Sequence, residues 1–489
     1  MSDPRISVAH GTPTVSAERV IDALDAVRPV IYIGSAISGP AATATAALIS
    51  MLGRLFPHLT VDGEARLGPN PWGASSVGDV YAILARTRPV PSRLPARDVS
   101  IGISRGTDAW LSLGGDDWTA CIGPGELSIG TASHGVGLHA AATLIVAELA
   151  KLALGPVGMP CHPLNGQLVW NLIDYTNSIP PSVDSAPAIH LNVGLLGAGS
   201  VGSSAAGVLT CVPAAAGTID VVDGDTFDPT KNPFRYPAST GNEHGPKVQW
   251  LKSMLDKAGW QTRPFFGSVA DWVASRPNPG YDGTVVSSVD GLDGRFQVAD
   301  VLARTTLSVG VGGLALHLQR ETLGNGLACP YCEYVDATPP LGQVPLWAQM
   351  TGLSVERVTA LVANDEPLST ADVDAAVRQG RLARASSESL IGRRLVDLVG
   401  RVYAQASVPA GSGERIRVSA PYVSWMGGVL AAAELLKEAI GLPLIDRRVD
   451  LDLSGLPSGF TRRIKADESG RCACASPIRK RWMRRLYGT

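Results

Sequence analysis

Residues 190–209 read HLNVGLLGAGSVGSSAAGVL, and this stretch decides the fold class. An apolar strand at 191–196 runs into a turn with the spacing G-x-G-x-x-G, and an alanine-rich helix continues from it. Gly197 and Gly199 would let the backbone turn tightly and approach a phosphate or a ribose, while Gly202 would let the helix pack on the strand. The free N–H groups of the helix N-terminus favour an anion at the same place. The stretch predicts a nucleotide-binding turn, although such motifs also occur in ordinary turns and, among true sites, most often bind NAD.

The residues after the turn add polar and charged side chains in a fixed order. A second strand at 218–222 ends in Asp223, which is placed to accept a hydrogen bond from a ribose hydroxyl. Asn232 and Arg235 follow in the segment NPFR, and Lys247 follows in the segment GPK. Taken singly, the same residues are ordinary turn, cap and surface residues.

The chain beyond residue 190 alternates between strands and helices. A helix over 246–258 begins with a proline in its first turn and stops at a glycine. We expect strands at 262–269, 283–289 and 306–311 and a helix at 295–303. Such alternation favours a mainly parallel sheet flanked by helices, and the alternating stretch 315–322 suits an antiparallel edge or extension.

Length and composition limit the classes of protein that this chain can be. With 489 residues it is too long for one core, so two or more domains are expected. No apolar run reaches the length of about 20 residues that a membrane span needs, and the first ten residues lack the apolar core of a signal peptide. The net charge of −2 is not the basic charge typical of proteins that bind nucleic acid. The basic tail 479–485 is expected to be solvated or packed on its own domain. We expect a cytoplasmic enzyme that binds neither nucleic acid nor membrane.

The first part of the chain repeats the plan of the second in a weaker form. Four features recur in the same order: a strand entering a glycine turn, an acidic residue after the next strand, an asparagine, and a closing helix of the pattern A-E-L-x-K-x-A-x-G. They are residues 30–39, Asp62, Asn70 and 147–155 in the first part, and 190–202, Asp223, Asn232 and 433–441 in the second. Gly73 stands where the second part has Arg235, and Lys247 has no counterpart. The matches predict two tandem Rossmann-like α/β copies, the first degenerate and the second intact.

These matches also set the expected domain boundaries. Residues 1–158 would form the degenerate copy, a proline-rich segment at 159–189 the linker, and residues 190–489 the intact copy. Inside the linker, 170–175 is expected to form one short helix. Inside the intact copy, a helix-rich insertion at 350–410 would act as a lid or a crossover.

The ordered set of motifs in the second copy carries a family resemblance. The motifs are Gly197, Gly199 and Gly202, then Asp223-Gly-Asp225, Asn232-x-x-Arg235, Pro246-Lys247, Ser288-Val-Asp290 and Cys329-x-x-Cys332. In this order they resemble the ubiquitin-activating family of adenylyltransferases (the ThiF/MoeB type), whose simplest members activate the sulfur carriers of thiamine and molybdopterin synthesis. The match covers roughly residues 190–332 and returns at 420–441 and at the last cysteines. The whole chain resembles the fused, pseudo-symmetric members of that family.

The resemblance implies a role for each residue in ATP-dependent activation of a carboxylate. Asp223, in the acidic pair with Asp225, would hold the ribose; Asn232 would position a phosphate oxygen; Arg235 and Lys247 would neutralise the phosphates and the transition state; and Asp290 would hold Mg²⁺. The sequence departs from the family pattern at Lys231 and Pro233, beside Asn232, and at Gly291, where an Asn is usual. Asp293 could therefore share or take over the metal role.

The cysteines predict a separate metal site. Cys329 and Cys332 fit two thiolate corners of a tetrahedral Zn²⁺ site, and Cys472 and Cys474 could supply the other two. Four thiolates leave zinc no open position, so such a site would be structural. Reduced, metal-free cysteines remain the alternative. The other three cysteines, Cys121, Cys161 and Cys211, are expected to be small hydrophobic residues.

The absence of a cysteine from one segment indicates what kind of group would accept the activated acid. Family members that form a thioester on their own cysteine carry it after the zinc loop, and residues 333–471 contain none. The acyl-adenylate would therefore pass to an external nucleophile. By resemblance, the carboxylate would be the C-terminus of a small ubiquitin-like or sulfur-carrier protein, or of a peptide. The chain would be a monomeric pseudo-dimer or a homodimer, with an arginine donated to the site from the other copy; Arg5, Arg19 and Arg54 are the candidates.

Two other functions remain open from the sequence. An NAD(P)-dependent oxidoreductase would use the turn at Gly197 and the acidic Asp223, but it would leave Arg235 and Lys247 without a role. A non-catalytic ATP-binding scaffold would keep the fold and lose the turnover, as the first copy is expected to have done.

Overall fold

The computed structural model describes most of the chain, with gaps. The described residues are 5, 17–85, 87–91, 97–105, 108–159, 161–180, 183, 188–229, 232–290, 292–322, 328–329, 332, 344–382, 384, 387–395, 397–399, 408–409, 415–416, 419–446, 448–455, 461–462, 466–467 and 472–488.

The first half folds around a six-stranded sheet. Its elements are α1 (Ala17–Asp25), β1 (Val27–Ile33), α2 (Gly39–Leu55), β2 (Thr60–Asp62), α3 (Val77–Leu84), β3 (Arg97–Ile103), β4 (Leu111–Gly115), β5 (Thr119–Gly123), α4 (Val136–Leu154) and β6 (Leu168–Asn171). The strand order is β2-β1-β3-β4-β5-β6. The neighbours from β2 to β4 are parallel, and β5 is antiparallel to both β4 and β6.

The second half continues with a larger sheet. Its elements are β7 (Ile189–Leu196), α5 (Ser200–Thr210), β8 (Ala215–Asp223), α6 (Asn232–Arg235), α7 (Lys247–Lys257), β9 (Gln261–Phe266), α8 (Val269–Ser275), β10 (Tyr281–Ser287), α9 (Leu292–Ala299), β11 (Ala303–Gly312), β12 (Ala315–Thr322), α10 (Val344–Thr351), α11 (Val355–Ala363), α12 (Thr370–Arg378), β13 (Val408–Pro409), β14 (Arg415–Ile416), α13 (Pro421–Ile440), β15 (Arg448–Asp452), β16 (Thr461–Arg462) and α14 (Pro477–Tyr487). Eight strands form one sheet in the order β16-β15-β12-β11-β10-β7-β8-β9, while β13 and β14 pair separately.

The two sheets share one topology. The run β2-β1-β3-β4-β5-β6 corresponds strand for strand to β8-β7-β10-β11-β12-β15, and every neighbouring pair has the same direction in both runs. In the second half, β9 and β16 extend the two edges. The predicted fold class, α/β with two mainly parallel sheets and flanking helices, is confirmed.

The halves pack through their closing helices into one core. Helices α4 and α13 contact each other, and a single buried apolar cluster contains residues from both halves. Trp72 of the first half stacks on Trp425 of α13, with ring centroids 6.2 Å apart. The 22 residues Val136–Val157 are long and apolar enough to cross a membrane by length and composition, which corrects the sequence expectation that no such run exists. Most of this helix is buried inside the protein, because it supports the first sheet.

The repeated A-E-L-x-K pattern joins the two halves reciprocally. Lys151 of α4 donates to the carbonyl oxygen of Gly455 in the second half at 2.5 Å. Lys437 of α13 donates to the carbonyl oxygens of Ile173 (2.9 Å) and Leu172 (3.3 Å) in the first half. The acceptors follow the corresponding strands β15 and β6. The equivalent lysine of each copy therefore binds the equivalent loop of the other copy.

Two local expectations are wrong. Residues 170–175 do not form a helix, because Trp170 and Asn171 end strand β6, which pairs with β5. Strand β9 ends at Phe266 and Val269 starts helix α8, whose N-cap Ser268 forms a capping box with Asp271, so the expected strand at 262–269 is too long. The stretch 315–322 is the antiparallel β12, and it extends the sheet toward β15 rather than forming its edge.

The helix-rich insertion has a core of its own. Residues of α10, α11 and α12 form a second apolar cluster with Leu390, Leu395 and Leu398. Arg357 of α11 binds both Glu366 (2.6 Å) and Asp372 (2.8 Å), which ties α11 to α12. Lys231 and Gly291 lie outside the described residues, as do most of 400–418.

Candidate active site

The three glycines of the turn between β7 and α5 differ in what requires them. Gly197 has φ of +98°, a left-handed conformation that favours glycine, and its N–H donates to the carbonyl oxygen of Val222 at 2.8 Å. A Cβ on Gly202 would lie 1.9 Å from the carbonyl oxygen of Gly197, so the fold itself requires this glycine. A Cβ on Gly199 would meet only open space. The fold therefore requires two of the three glycines, and the third leaves room beside the helix N-terminus.

The side chain of Asp223, at the end of β8, accepts a hydrogen bond from the backbone of the turn. One carboxylate oxygen accepts from the N–H of Ala198 at 2.6 Å, and the other accepts from the N–H of Asp225 at 2.7 Å. Burial raises the pKa of Asp223 above its usual range, and the positive charge of Lys247 offsets this in part. The carboxylate lies at the carboxyl edge of the sheet, where parallel α/β sheets bind ligands.

Lys247 is the first residue of helix α7, and its side chain contacts the acidic segment 223–225. Its ammonium lies 2.6 Å from a carboxylate oxygen of Asp225, and the Lys247 side chain is only 9% exposed. Burial alone would lower the pKa of Lys247, but Tyr236, Asp223 and Asp225 outweigh it, so the pKa lies above its ordinary value. The site therefore keeps a positive charge at neutral pH beside Asp223.

Three aromatic rings hold the charged segments together. Phe227, Tyr236 and Trp250 contact one another pairwise, with ring centroids 5.5–5.8 Å apart. Phe227 comes two residues after Asp225, Tyr236 directly follows Arg235, and Trp250 lies on α7 one turn after Lys247. No sequence pattern indicates this cluster, because its members become neighbours only when three separate segments fold together.

Helix α6 presents Asn232 and Arg235 in different ways. Asn232 is buried, and its side-chain oxygen accepts from the N–H of Asp228 at 3.2 Å, so in this structure it stabilises the preceding turn. The Nε of Arg235 is buried and has no hydrogen-bond partner among the described residues. A buried guanidinium N–H without a partner is costly, and an anionic ligand would satisfy it.

Arg54 of the first half anchors the loop that carries Arg235. Its guanidinium donates to the carbonyl oxygens of Pro233 (2.7 Å), Tyr236 (3.1 Å) and Ser239 (2.5 Å). Arg54 is 1% exposed, and burial lowers its pKa to about 9, which still leaves it charged at neutral pH. This candidate for a donated arginine therefore binds backbone carbonyls. No signal in the sequence indicates these contacts.

The other two candidate arginines lie elsewhere. Arg5 is buried against Asp25 of α1, with 2.6 Å between guanidinium and carboxylate. Arg19 is exposed on α1. Neither is placed in the second-half site by a described contact.

Asp290 lies beside the glycine turn but makes no described contact with it. Two residues earlier, Ser288 donates its N–H to the carbonyl oxygen of Leu196 and its hydroxyl to that of Gly197, both at 2.9 Å. This pairing brings the Asp290 segment to the carboxyl edge of the sheet, where the carboxylate is exposed. The side chain of Asp293, the alternative metal ligand, is not described.

In the equivalent region of the first half, the polar side chains bind other residues of that half. Asp62 pairs with Arg105 at 3.3 Å, and the side chain of Asn70 is used in a local turn, accepting from the N–H groups of Trp72 and Ala74 at 3.1 Å. Gly73, at the position of Arg235, has φ of +64°. Arg105 is a cation beside the acidic residue here, but the sequence positions of Arg235 and Lys247 are taken by Gly73 and by Val77, the first residue of α3.

A cleft of ≈ 910 Å³ opens at the same edge of the second sheet. Its floor is one face of β11, β12 and β15, and its walls include Arg295 of α9 and His162 of the first half. Charged and polar groups on this face include His317, Asp450 and Asp452. The cleft has room for a ligand much larger than a small acid.

Four cysteines from distant parts of the chain lie close together in the folded protein. The sulfur atoms of Cys329, Cys332, Cys472 and Cys474 all lie within 4.8 Å of one another, and the closer pairs are 3.4–3.7 Å apart. Tetrahedral thiolates about 2.3 Å from a zinc ion would be separated by about 3.8 Å. The cluster can therefore hold a metal ion.

Comparisons with known proteins give a likeness in shape alone. No protein-family profile matches the sequence, and no curated protein matches it. Similar solved structures include E. coli MccB with MccA-N7isoASN, at 13% identity over 58% of this chain and 67% of that chain, with a TM-score of 0.35. Another is the microcin C7 biosynthetic enzyme MccB with N-formylated MccA, at 14% identity over 59% and 67%, with a TM-score of 0.36. At these values the likeness says nothing about what this chain binds or catalyses.

Proposed function

We propose that this protein is an ATP-dependent adenylyltransferase that activates a carboxylate, the C-terminus of a small ubiquitin-like or sulfur-carrier protein or of a peptide. The observation that carries the proposal is that Asp223 binds the glycine turn with Lys247 beside it, while the nearby helix α6 carries Arg235, whose buried Nε has no partner among the described residues. Hydride transfer itself does not require two cations at the reacting centre, whereas joining a carboxylate to a phosphate does. The proposed subclass is the ubiquitin-activating type, and the proposed compartment is the cytoplasm.

The residues fit ATP at three points. The space beside Gly199 admits the phosphates at the N-terminus of α5, Asp223 would accept from the ribose, and the unpartnered Nε of Arg235 would donate to a phosphate oxygen. Lys247 would release Asp225 and neutralise the phosphates. Asp290 would hold Mg²⁺, which neutralises phosphate charge when bound.

The carboxylate would approach through the cleft beside the turn. The floor of β11, β12 and β15 lies at the carboxyl edge of the same sheet as Gly197, and His162 brings the first half into its wall. Arg235 and Lys247 reduce the repulsion between the incoming carboxylate and the α-phosphate. Attack by the carboxylate oxygen on that phosphorus then forms the acyl-adenylate and releases pyrophosphate.

The acceptor of the acyl group would be external. Cys211 lies at the far end of α5 from the turn, and burial raises the pKa of its thiol to about 12. Cys121 is also buried, and Cys161 is half-buried in the first half. None of these three thiols lies in the described site, so sulfide, a persulfide, an amine or a partner's cysteine would take the acyl group.

Carboxylate-dependent exchange of labelled pyrophosphate into ATP tests the proposal. Lys247→Ala and Arg235→Ala should each lower exchange by at least about a hundredfold without unfolding the protein, because both charges act on the transition state. Lys252→Ala is the matched control, since Lys252 lies on the same helix, is 39% exposed and pairs with Asp256. Near-normal exchange in either site variant would reject the assignment. Hydride transfer to NAD(P), or ATP binding without exchange, would favour the oxidoreductase or the scaffold instead.

A further inference from the structure

The last helix, α14, has two different faces. Its inner face is fixed to the second sheet: Met483 is buried, and the hydroxyl of Tyr487 donates to the carbonyl oxygen of Leu302 at 2.6 Å. The same hydroxyl accepts from the N–H of Tyr281 at 3.0 Å, and Leu486 packs against Gly280. The outer face is therefore a defined surface held by the fold.

The outer face combines cations with apolar side chains. It consists of Ile478, Lys480, Arg481, Trp482, Arg484 and Arg485, all exposed. Ile478 is 71% exposed and Trp482 is 41% exposed, and both lie on the same side of one helix as the cations. The helix sequence PIRKRWMRRLY contains no acidic residue, although the whole chain has a net charge of −2. This helix of 11 residues therefore carries only positive charge.

The spacing aligns these residues in one stripe. Ile478, Arg481, Trp482 and Arg485 stand at positions i, i+3, i+4 and i+7, which share one side of a helix. The guanidinium of Arg485 lies over the Trp482 ring, 5.5 Å from its centroid. On the surface of an anionic bilayer, exposed apolar and aromatic side chains such as Ile478 and Trp482 can enter the acyl boundary while the neighbouring cations meet the lipid phosphates. A nucleic acid would engage the cations but would leave Ile478 exposed.

The position of α14 is compatible with catalysis on a surface. The helix is attached at the amino ends of β10 and β11, whereas the glycine turn follows the carboxyl end of β7 and Asp290 follows that of β10. A strand of seven residues spans about 23 Å, so a surface that contacts α14 leaves the opposite edge open.

We propose that the outer face of α14 binds the surface of a membrane containing anionic phospholipids, as a peripheral contact that does not depend on the proposed activity. This departs from the sequence expectation that the basic tail is solvated or packed on its own domain and that no membrane is bound. Burial of Ile478 and Trp482 would supply the apolar part of the contact, and four cations would supply the electrostatic part.

Co-sedimentation of the full-length protein with vesicles tests the proposal. We expect binding to phosphatidylcholine vesicles that contain phosphatidylglycerol, little binding to phosphatidylcholine alone, and weakening by salt. The double variant Arg481→Glu/Arg485→Glu should lower binding at least about tenfold. Lys257→Glu/Arg378→Glu carries the same charge change on exposed residues of α7 and α12 and should bind like the wild type. Trp482→Ala keeps every charge and should still weaken binding.

Three results would overturn the proposal. They are no preference for anionic vesicles, equal losses in the two charge-reversal variants, and binding to duplex DNA without binding to vesicles. Equal melting temperatures of the variants would show that the fold is intact, since all the substituted side chains are exposed.

Discussion

Gly199 and Gly202 are three residues apart in one motif, yet they serve different purposes. The carbonyl oxygen of Gly197 leaves no room for a side chain at Gly202, whereas the space beside Gly199 is open. The motif predicts this difference, because its second glycine is expected to approach the phosphate and its third to let the helix pack on the strand. The difference separates a residue required by the fold from one that keeps space for a ligand.

Alanine at Gly199 should therefore change ATP binding and leave stability unchanged, whereas alanine at Gly202 should lower the free energy of unfolding. Gly199→Ala should fold with an unchanged melting temperature, because its φ of −71° suits alanine and its Cβ meets nothing, but should weaken ATP binding at least about tenfold. Gly202→Ala should lose about 2–4 kcal/mol of unfolding free energy, because the turn must move. Calorimetry of binding and denaturant unfolding measure the two effects. Unchanged ATP affinity in Gly199→Ala would show that the space is not a phosphate site.

At the scale of elements, the closing helices α4 and α13 carry the contact between the halves. Lys437 is fully buried, and burial lowers its pKa, although its ion pair with Glu434 counteracts this. Lys151 is 2% exposed and lies 2.6 Å from Glu148. Removing Lys151 takes from the buried Glu148 its described cation, whereas Glu434 keeps Arg320 when Lys437 is removed. In both cases carbonyl oxygens of the other half lose their donor.

Lys151→Met and Lys437→Met should each destabilise the whole protein. We expect a loss of roughly 3–5 kcal/mol, the usual cost of breaking a buried pair from one side. Lys437→Met should lose less, because Arg320 also contacts Glu434, at 3.2 Å. Unfolding should stay a single transition, since both halves share one core. The exposed Lys252→Met serves as control, and separate transitions of the two halves would contradict this account.

The cysteine cluster joins two elements that are far apart in sequence. Cys329 follows β12, and Cys472 precedes α14, yet their sulfur atoms are 3.4 Å apart. We propose that the cluster holds one structural Zn²⁺ through four thiolates, because tetrahedral sulfur ligation is characteristic of that ion.

Metal analysis should find about one zinc per chain. Cys329→Ser and Cys472→Ser should lose the metal and lower the melting temperature, because a structural zinc contributes its binding energy to folding. Cys161→Ser, a half-buried cysteine outside the cluster, should retain both. Metal-free protein with an unchanged melting temperature would show that the thiols pack without an ion.

For the whole molecule, the repeated topology poses the question of how many sites the chain has. In the second half Lys247 lies beside Asp223 at the turn, while in the first half Asp62 is paired with Arg105 and Asn70 serves a local turn. We propose that the first half is a degenerate copy that supports the second, in part through Arg54.

Titration with a non-hydrolysable ATP analogue should give one site per chain. Lys247→Ala should reduce that binding, whereas Asp62→Ala should not. The fragment 188–489 should be unstable alone, because its core includes residues of the first half and because Arg54 would be missing. Two equal sites, or full exchange activity from the fragment, would contradict the proposed division.

The sequence by itself determined the features that depend on neighbouring residues. Glycine spacing, apolar periodicity and proline positions predicted the βα turn at Gly197, the start of α7 and the antiparallel β12, because turn chemistry and strand alternation act over a few residues. The same local patterns placed Asp223 and Lys247 beside the turn. Their roles in catalysis stay predictions until exchange is measured.

Only the tertiary structure decided which side chains meet across the chain. Arg54 reaching the loop of Arg235, the exchange of lysine contacts between α4 and α13, and the exposed cationic face of α14 each depend on elements far apart in sequence. The physical reason is that burial and hydrogen-bond partners are set by how the two sheets pack, and local periodicity carries no information about that packing.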